Sequence, residues 1–334
     1  MRVVTFGEIM LRLSPEGYLR FVQADRLQVE PGGGEANVAA SLADFGLDAA
    51  FVTKLPAHEI GQIAVNGLRR YGVDTRLVVR GGGRVGLYYC EKGASQRPSK
   101  VIYDRAGSAI ATADRADFDW EKIFRGADWF HFSGITPALG DGVAQICLDA
   151  LAAAKAAGVT VSCDLNYRSH LWSLEEAGRV MAAMMPFVDV LIAGAGGAAD
   201  MFGIRAGGGM DDREGCRRVA AALAARFGFK KVCFTLRESL SASDNLWAGM
   251  LMDGGESFFS RTYALRIVDR VGGGDSFAAG LIYALLSGYD PQRAVEFATA
   301  AGALKHSVEG DFNHVSLDEV TKLMDGDGGG RVQR

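Results

Sequence analysis

Residues 268–277 read Val268-Asp269-Arg270-Val271-Gly272-Gly273-Gly274-Asp275-Ser276-Phe277. Three glycines run directly into an amphipathic helical pattern, Ser276 to Leu286. A helix N-terminus carries unpaired N–H groups and the positive end of the helix dipole. Glycines let a phosphate approach that backbone closely. Asp275 sits in the same turn. A carboxylate beside an anion hole is oddly placed for anion binding alone. It is well placed to take a proton from a hydroxyl that attacks a phosphoryl group. The structural alternative is an Asp N-cap on a glycine-flanked helix.

On the N-terminal side of this stretch, short β-branched runs alternate with helical patterns. Strands are expected at Val3–Phe6, Ala49–Thr53, Trp129–Ser133, Val159–Cys163, Val188–Ile192 and Lys231–Leu236. Helices are expected at Glu35–Phe45, Ile60–Tyr71, Gly142–Ala157, Leu174–Met185 and Arg213–Phe227, several of them stopped by glycine. A β-rich stretch precedes the Ser276 helix, and Pro291–Lys305 and Ser316–Met324 are helical after it. Such alternation implies a mostly parallel sheet with helices on both faces, in one α/β domain. These sheets place ligands at the carboxyl ends of their strands.

Arg12–Glu30 and Arg84–Arg105 do not fit the alternation. They read as extended, half-polar segments. Val85, Leu87 and Tyr89 would share one face, with Gly86, Tyr88 and Cys90 on the other. Val101, Tyr103 and Arg105 alternate with Ile102 and Asp104 in the same way. Segments near 14–31 and 81–105 are therefore read as a small β-sheet lid on the domain, with an ordinary edge hairpin as the alternative. Residues 325–334 are glycine-rich and read as a flexible tail.

The 334-residue chain is long enough to bury a large core, and 49% hydrophobic with 23% charged residues is a globular balance. Thirty-six basic against 40 acidic side chains give −4, so neither nucleic acid nor a membrane surface is an expected partner. The five cysteines are widely spaced, with no CxxC, which suggests reduced thiols in a cytoplasmic protein. The five histidines show no metal spacing. His306 is a candidate for lining an adenine pocket, with packing as its alternative.

A second glycine run, Pro31-Gly32-Gly33-Gly34-Glu35-Ala36-Asn37-Val38, also opens a helix. A polyol could lie against Gly33 and Gly34, with Asn37 bonding a hydroxyl. This run is neither GxGxxG nor GK[ST], so it is read as neither a dinucleotide fingerprint nor a P-loop.

Together, Phe6-Gly7-Glu8, the Gly32–Asn37 segment and Asp269–Asp275 resemble the ribokinase-like (PfkB) carbohydrate kinases from end to end. Within that family, Gly7-Glu8-Ile9-Met10-Leu11-Arg12 and Asp164-Leu165-Asn166-Tyr167-Arg168 are most similar to 2-keto-3-deoxygluconate kinases. The resemblance implies a ribokinase-like fold and transfer of the ATP γ-phosphate, with Mg2+, to a sugar hydroxyl. It makes Asp275 the general base and the N–H groups of Gly272, Gly273 and Gly274 the anion hole. It places Gly34, Tyr88, Tyr103, Arg105, Arg168 and Asp311 on the sugar acid, and Asn166 and Thr235 with Gly272 and Gly274 on the nucleotide, where Arg237 is a further candidate. Asp269 matches a residue next to a monovalent-cation loop, which brings in K+. The residues themselves favour an acidic substrate, because arginine binds carboxylate by a two-pronged charged hydrogen bond that a neutral sugar does not need.

Two departures from the family stand out. Its Asn-x-x-Glu motif, which helps order the Mg2+ water shell, is replaced by Gly194-Ala195-Gly196-Gly197, with no side-chain oxygen before Asp200. Arg237 stands where the family commonly has Gly, and could bind a nucleotide phosphate or point to solvent. The expectation is a sugar-acid kinase making 2-keto-3-deoxy-6-phosphogluconate, homo-oligomeric through an exposed lid sheet. Its rivals are a fructokinase-like neutral-sugar kinase and a catalytically impaired ligand-binding protein on the same fold.

Overall fold

The computed structural model describes residues 1–204 and 210–330. Strand β1 (Arg2–Phe6) is buried on both faces from Val3 onward, as a central parallel strand must be. After it come β2 (Met10–Ser14), β3 (Gln28–Gly32), α1 (Gly34–Asp44), β4 (Asp48–Leu55), α2 (Glu59–Arg70) and β5 (Val78–Arg80). The hairpin of β6 (Gly86–Glu91) and β7 (Lys100–Asp104) leads to the one-turn α3 (Trp120–Ile123), then β8 (Trp129–Ser133), α4 (Asp141–Ala156) and β9 (Thr160–Asp164). Next are α5 (Leu174–Met184), β10 (Val190–Gly194), α6 (Ala195–Phe202), α7 (Arg213–Phe227) and β11 (Lys231–Ser239). The chain then adds β12 (Asp244–Asp253), β13 (Glu256–Phe259), β14 (Tyr263–Arg266), α8 (Gly273–Leu286), α9 (Pro291–Lys305) and α10 (Leu317–Asp325).

Among the described residues the main sheet has ten strands in the order β13-β12-β11-β10-β9-β8-β1-β4-β5, with β14 also on β12. Pairs from β11 to β5 are parallel; β12 is antiparallel to β11, β13 and β14. One apolar layer lies between the sheet and α4 to α7, and the other beneath α1, α8 and α9. Phe6, Ser133, Asp164 and Gly194 thus end parallel strands along one edge, the edge that collects ligands in such folds.

A second, four-stranded sheet runs β3-β2-β6-β7. The segments 14–31 and 81–105 contain most of it, but β2 starts earlier, at Met10. Met10, Leu11 and Arg12 are all buried, so β2 lacks the half-polar alternation that marks its neighbours. Within β6, Tyr88 and Cys90 turn inward together, as the alternation requires.

Three features depart from the periodicity reading. The strand expected at Val188 begins at Val190, because Met185–Phe187 forms a 3-10 turn around Pro186. Gly196-Gly197 does not break the chain; it lies inside α6. Helix α8 begins at Gly273, three residues before its first strongly helical position. At the C-terminus, Gly326 caps α10 in a left-handed conformation. Residues 331–334 of the expected tail lie outside the described residues.

Candidate active site

The strand ends, the starts of α1 and α8 and the inner face of the small sheet enclose a cavity of about 660 Å3. Every expected site residue lines it except Gly273 and the candidate His306; Gly273 packs instead against the His306 ring. A Cβ at 273 would lie 2.3 Å from that ring. Gly272 is the N-cap of α8, at φ 84°. The first helical bond runs from Ser276 N to Gly272 O at 2.9 Å. The amides of Gly273, Gly274 and Asp275 are therefore the open donors of this terminus.

Asp275 is a first-turn residue and not the cap. Its Oδ2 accepts from Asn37 Nδ2 at 2.7 Å. Burial pushes its carboxyl up to about 6, against that hydrogen bond and the nearby Arg168 charge. Asn37 also accepts from Gly33 N through Oδ1, at 3.3 Å. One N–H of its amide thus fixes the Asp275 carboxylate. A Cβ on Gly34 would lie 3.6 Å from Asp275 Oδ1 and 3.8 Å from Asn166 Nδ2, so both groups converge over the start of α1.

The turn after β9 supplies the opposite wall. Asn166 is held at φ 35°, a region few non-glycine residues enter, and its N–H donates to Asp164 Oδ1 at 3.1 Å. That turn carries Arg168 to the cavity mouth. Arg168 is exposed and makes no ion pair among the described residues; Nη1 donates only to the adjacent Tyr167 carbonyl, at 3.4 Å. Asp164 faces Asp275, and burial together with that second carboxylate pushes its carboxyl up to about 7.

Several expected ligands are already engaged within the protein. Arg105 donates from both Nε and Nη2 to Glu8 Oε2, and Ser108 Oγ donates to Glu8 Oε1 at 2.5 Å. Arg105 is therefore charge-neutralised, with its guanidinium over the Tyr103 ring at 5.4 Å. Asp311 accepts from Tyr88 Oη at 2.5 Å and from Arg12 Nη1 at 3.0 Å. Burial first, then the Asp311 charge, raises the Tyr88 phenol, so it stays a neutral donor. Through Oδ1, the Asp311 carboxylate thus locks the small sheet to the anion-hole loop. Asp269 accepts from Arg12 Nη2 at 2.7 Å, Gly310 N at 3.2 Å and Val271 N at 3.1 Å. Three of the acceptor sites of the Asp269 carboxylate are thus taken up inside the protein.

The far end of the cavity is cationic. Arg237, two residues beyond Thr235 on β11, lies over the Trp247 ring at 4.8 Å, and Nη2 contacts His306 Nε2 at 2.8 Å. Arg270 reaches Ser239 Oγ at 3.1 Å. Neither makes an ion pair among the described residues. Burial, with Arg270 adding to it, lowers Arg237 to about 10. His306 is pushed down to about 3 by burial and then by Arg237, so it is neutral and can accept. It borders a smaller cavity of about 420 Å3 rather than the main one. Thr235 pairs with Gly194 across β11 and β10. A Cβ at Gly194, Gly196 or Gly197 would meet nothing within 4 Å, which leaves a glycine-walled gap beside Asp164. Asp200 is exposed and does not line the cavity.

A proton acceptor set at a helix terminus built for anions, with unpaired guanidiniums at both ends of one cavity, is the equipment of a phosphotransferase for small polar molecules. The model of the pfkB family carbohydrate kinases matches residues 1–316, and the chain belongs to that family. It is similar to a Thermotoga maritima 2-dehydro-3-deoxygluconokinase of known structure, with 55% identity over 98% of this chain and 100% of that one, TM-score 0.96. It is 36% identical to a Haloferax volcanii 2-dehydro-3-deoxygalactonokinase, over 97% of this chain and 96% of the relative. A ribokinase II chain from E. coli solved with ATP and Mg2+ shares the fold, at TM-score 0.82 and 20% identity, covering 97% of this chain and 99% of that one.

Glu8, Asp164 and Arg270 line the cavity without having been singled out from the sequence. All three lie inside the quoted motifs and could have been weighed there. The partner of Glu8 was not legible, because only the fold brings it to Arg105 from 97 positions away.

Proposed function

We propose that this chain phosphorylates the terminal primary hydroxyl of 2-keto-3-deoxygluconate with ATP, giving 2-keto-3-deoxy-6-phosphogluconate. The observation that carries this is Arg168, an uncompensated guanidinium in the same cavity as Asp275. The sugar carboxylate pairs with Arg168. Nη1 of Arg105, which nothing else accepts from among the described residues, and the Tyr103 hydroxyl complete that end. Asp275 takes the proton of the hydroxyl as its oxygen attacks the γ-phosphorus and ADP leaves. The open amides of Gly273, Gly274 and Asp275 meet the charge on the transferring phosphoryl oxygens. Arg237, Arg270 and Thr235 hold the nucleotide phosphates.

Mg2+ keeps most of its waters and uses one or two carboxylates plus substrate phosphates. Asp164, beside the Gly194–Gly197 gap, fits that demand as its carboxylate, and the ion would neutralise phosphate charge there. The five cysteines are free and buried, and no helix among the described residues is long and apolar enough to cross a membrane; both fit a cytoplasmic enzyme. Exposed Leu19, Val22, Val29 and Ile102 on and beside the small sheet support a homo-oligomer.

The test is an assay of purified protein with ATP and Mg2+ against ketodeoxygluconate, ketodeoxygalactonate, gluconate, fructose and ribose. Ketodeoxygluconate should give the highest kcat/KM. The Haloferax relative makes ketodeoxygalactonate the second candidate, and a preference for fructose would overturn the sugar-acid reading. Arg168→Ala should raise KM for the acid about 10- to 150-fold, the worth of a charged hydrogen bond, and do much less to any neutral sugar turned over. Equal losses on both would remove Arg168 from the carboxylate.

A metal-dependence prediction follows from the glycine gap. The double variant Gly194→Asn with Gly197→Glu has room for both side chains and should gain more activity at limiting than at saturating Mg2+. Asp164→Asn should raise the Mg2+ requirement, whereas Asp200→Ala should leave it unchanged. Titrating kcat against Mg2+ checks all three. A parent enzyme with a low Mg2+ requirement and no gain from the double variant would refute the deficit.

A further inference from the structure

Lys305, the last residue of α9, is wholly buried at 0% exposure, and the reaction as described makes no use of it. Among the described residues its Nζ donates to the Val308 carbonyl, at 3.1 Å. A Cβ on Gly272 would come within 3.0 Å of Lys305 Cε, so the side chain lies directly against the anion-hole turn. The two loops that meet here are stitched together. Val268 N and Asp269 N both donate to His306 O, at 2.8 and 3.3 Å, and Gly310 N donates to Asp269.

The resemblance noted from the sequence brings K+ to this region, but the residues present do not fit it. The Asp269 carboxylate already accepts from Arg12, Gly310 N and Val271 N. Lys305 at 0% exposure instead sets an ammonium among buried Arg12, Asp269 and Asp311, so this region already holds a monovalent cation of its own.

We infer that Lys305 is a tethered cation, a positioning residue whose ammonium holds the 268–272 turn against the 305–311 loop and spares the enzyme any need for K+. Burial lowers the Lys305 ammonium below its ordinary value, and Asp269 and Asp311 oppose that by favouring the charged form. The inference rests on reading residues 272–275 as the anion hole.

The experiment compares wild type, Lys305→Met and Lys305→Ala in potassium, ammonium, sodium and tetramethylammonium chloride at equal ionic strength. Readouts are kcat, KM for the sugar acid, and Tm. Wild-type kcat and Tm should be the same in all four salts. Lys305→Met should lose kcat by about tenfold or more, the worth of a charged hydrogen bond, with KM little changed. Lys305→Ala should recover part of its kcat, and gain Tm, in potassium or ammonium but not in tetramethylammonium. Strong activation of wild type by K+, wild-type kcat in Lys305→Met, or equal rescue by every salt would each overturn the inference. If neither variant folds, the wild-type salt series decides by itself. A wild type inactive on every sugar would instead count against the proposed function, and K+-specific stabilisation of wild type would still refute the tethered cation.

Discussion

Asp275→Asn should lower kcat by at least about 10²-fold while KM for the sugar acid barely moves, since a positioned general base contributes about 10²–10⁴. The substitution keeps the shape and can still face Asn37, but an amide cannot take the hydroxyl proton. The carboxyl also predicts a pH profile. With Asp275 raised to about 6 by burial, kcat/KM of the wild type should fall as pH drops through that value, because the base is then protonated. Asp164, raised to about 7, faces the same space, so the acid limb belongs to the pair rather than to either residue. Asp164→Asn should shift the limb to lower pH by removing the second negative charge. In Asp275→Asn the residual rate should lose the limb. A variant with near wild-type kcat and an unchanged profile would make Asp275 a structural residue and remove the mechanism.

How much of this was legible beforehand differs between the two halves of the site. The anion hole was readable because a local rule makes it: glycines before an apolar helix have one physical use in common, and residues 272–275 are contiguous. The parallel strands were readable because burial on both faces demands uninterrupted apolar runs such as Val3–Phe6. By contrast, β12 is antiparallel and rich in Met and Leu rather than β-branched residues, and α6 contains Gly196-Gly197; tertiary packing overrode local propensity in both. The sugar end was the least readable. Arg105 and Asp311 do lie in the cavity, yet what occupies them comes from Glu8, Tyr88 and Arg12, between 97 and 299 positions away in sequence. Sequence spacing cannot say whether a buried arginine is free or already paired. That distinction separates Arg168 from Arg105.

Gly272→Ala should cost kcat about 10²–10³-fold, as removal of a transition-state hydrogen-bond donor does, although residue 272 carries no side chain to lose. Position 272 sits at φ 84°, and an added Cβ would lie 2.2 Å from the Asp311 carbonyl oxygen. That oxygen is backbone in a loop tied down by the Arg12, Asp269 and Tyr88 bonds, so it is the turn that must move. The turn is the N-cap of α8, and moving it re-aims the amides of Gly273, Gly274 and Asp275 away from the transferring phosphoryl group. Backbone strain must be separated from this displacement. Gly46 serves, because it has φ 86° and open space around its Cβ. Gly46→Ala should therefore lose about 1–2 kcal/mol of stability from the left-handed conformation, and keep its kcat. Gly272→Ala should show at least that stability loss and the kinetic defect as well, with KM for the sugar acid nearly preserved because Arg168 and Tyr103 are on other elements. The check is kcat, KM and Tm for the two variants side by side. If Gly272→Ala matches Gly46→Ala in all three, the helix terminus does not stabilise the transferring phosphoryl group.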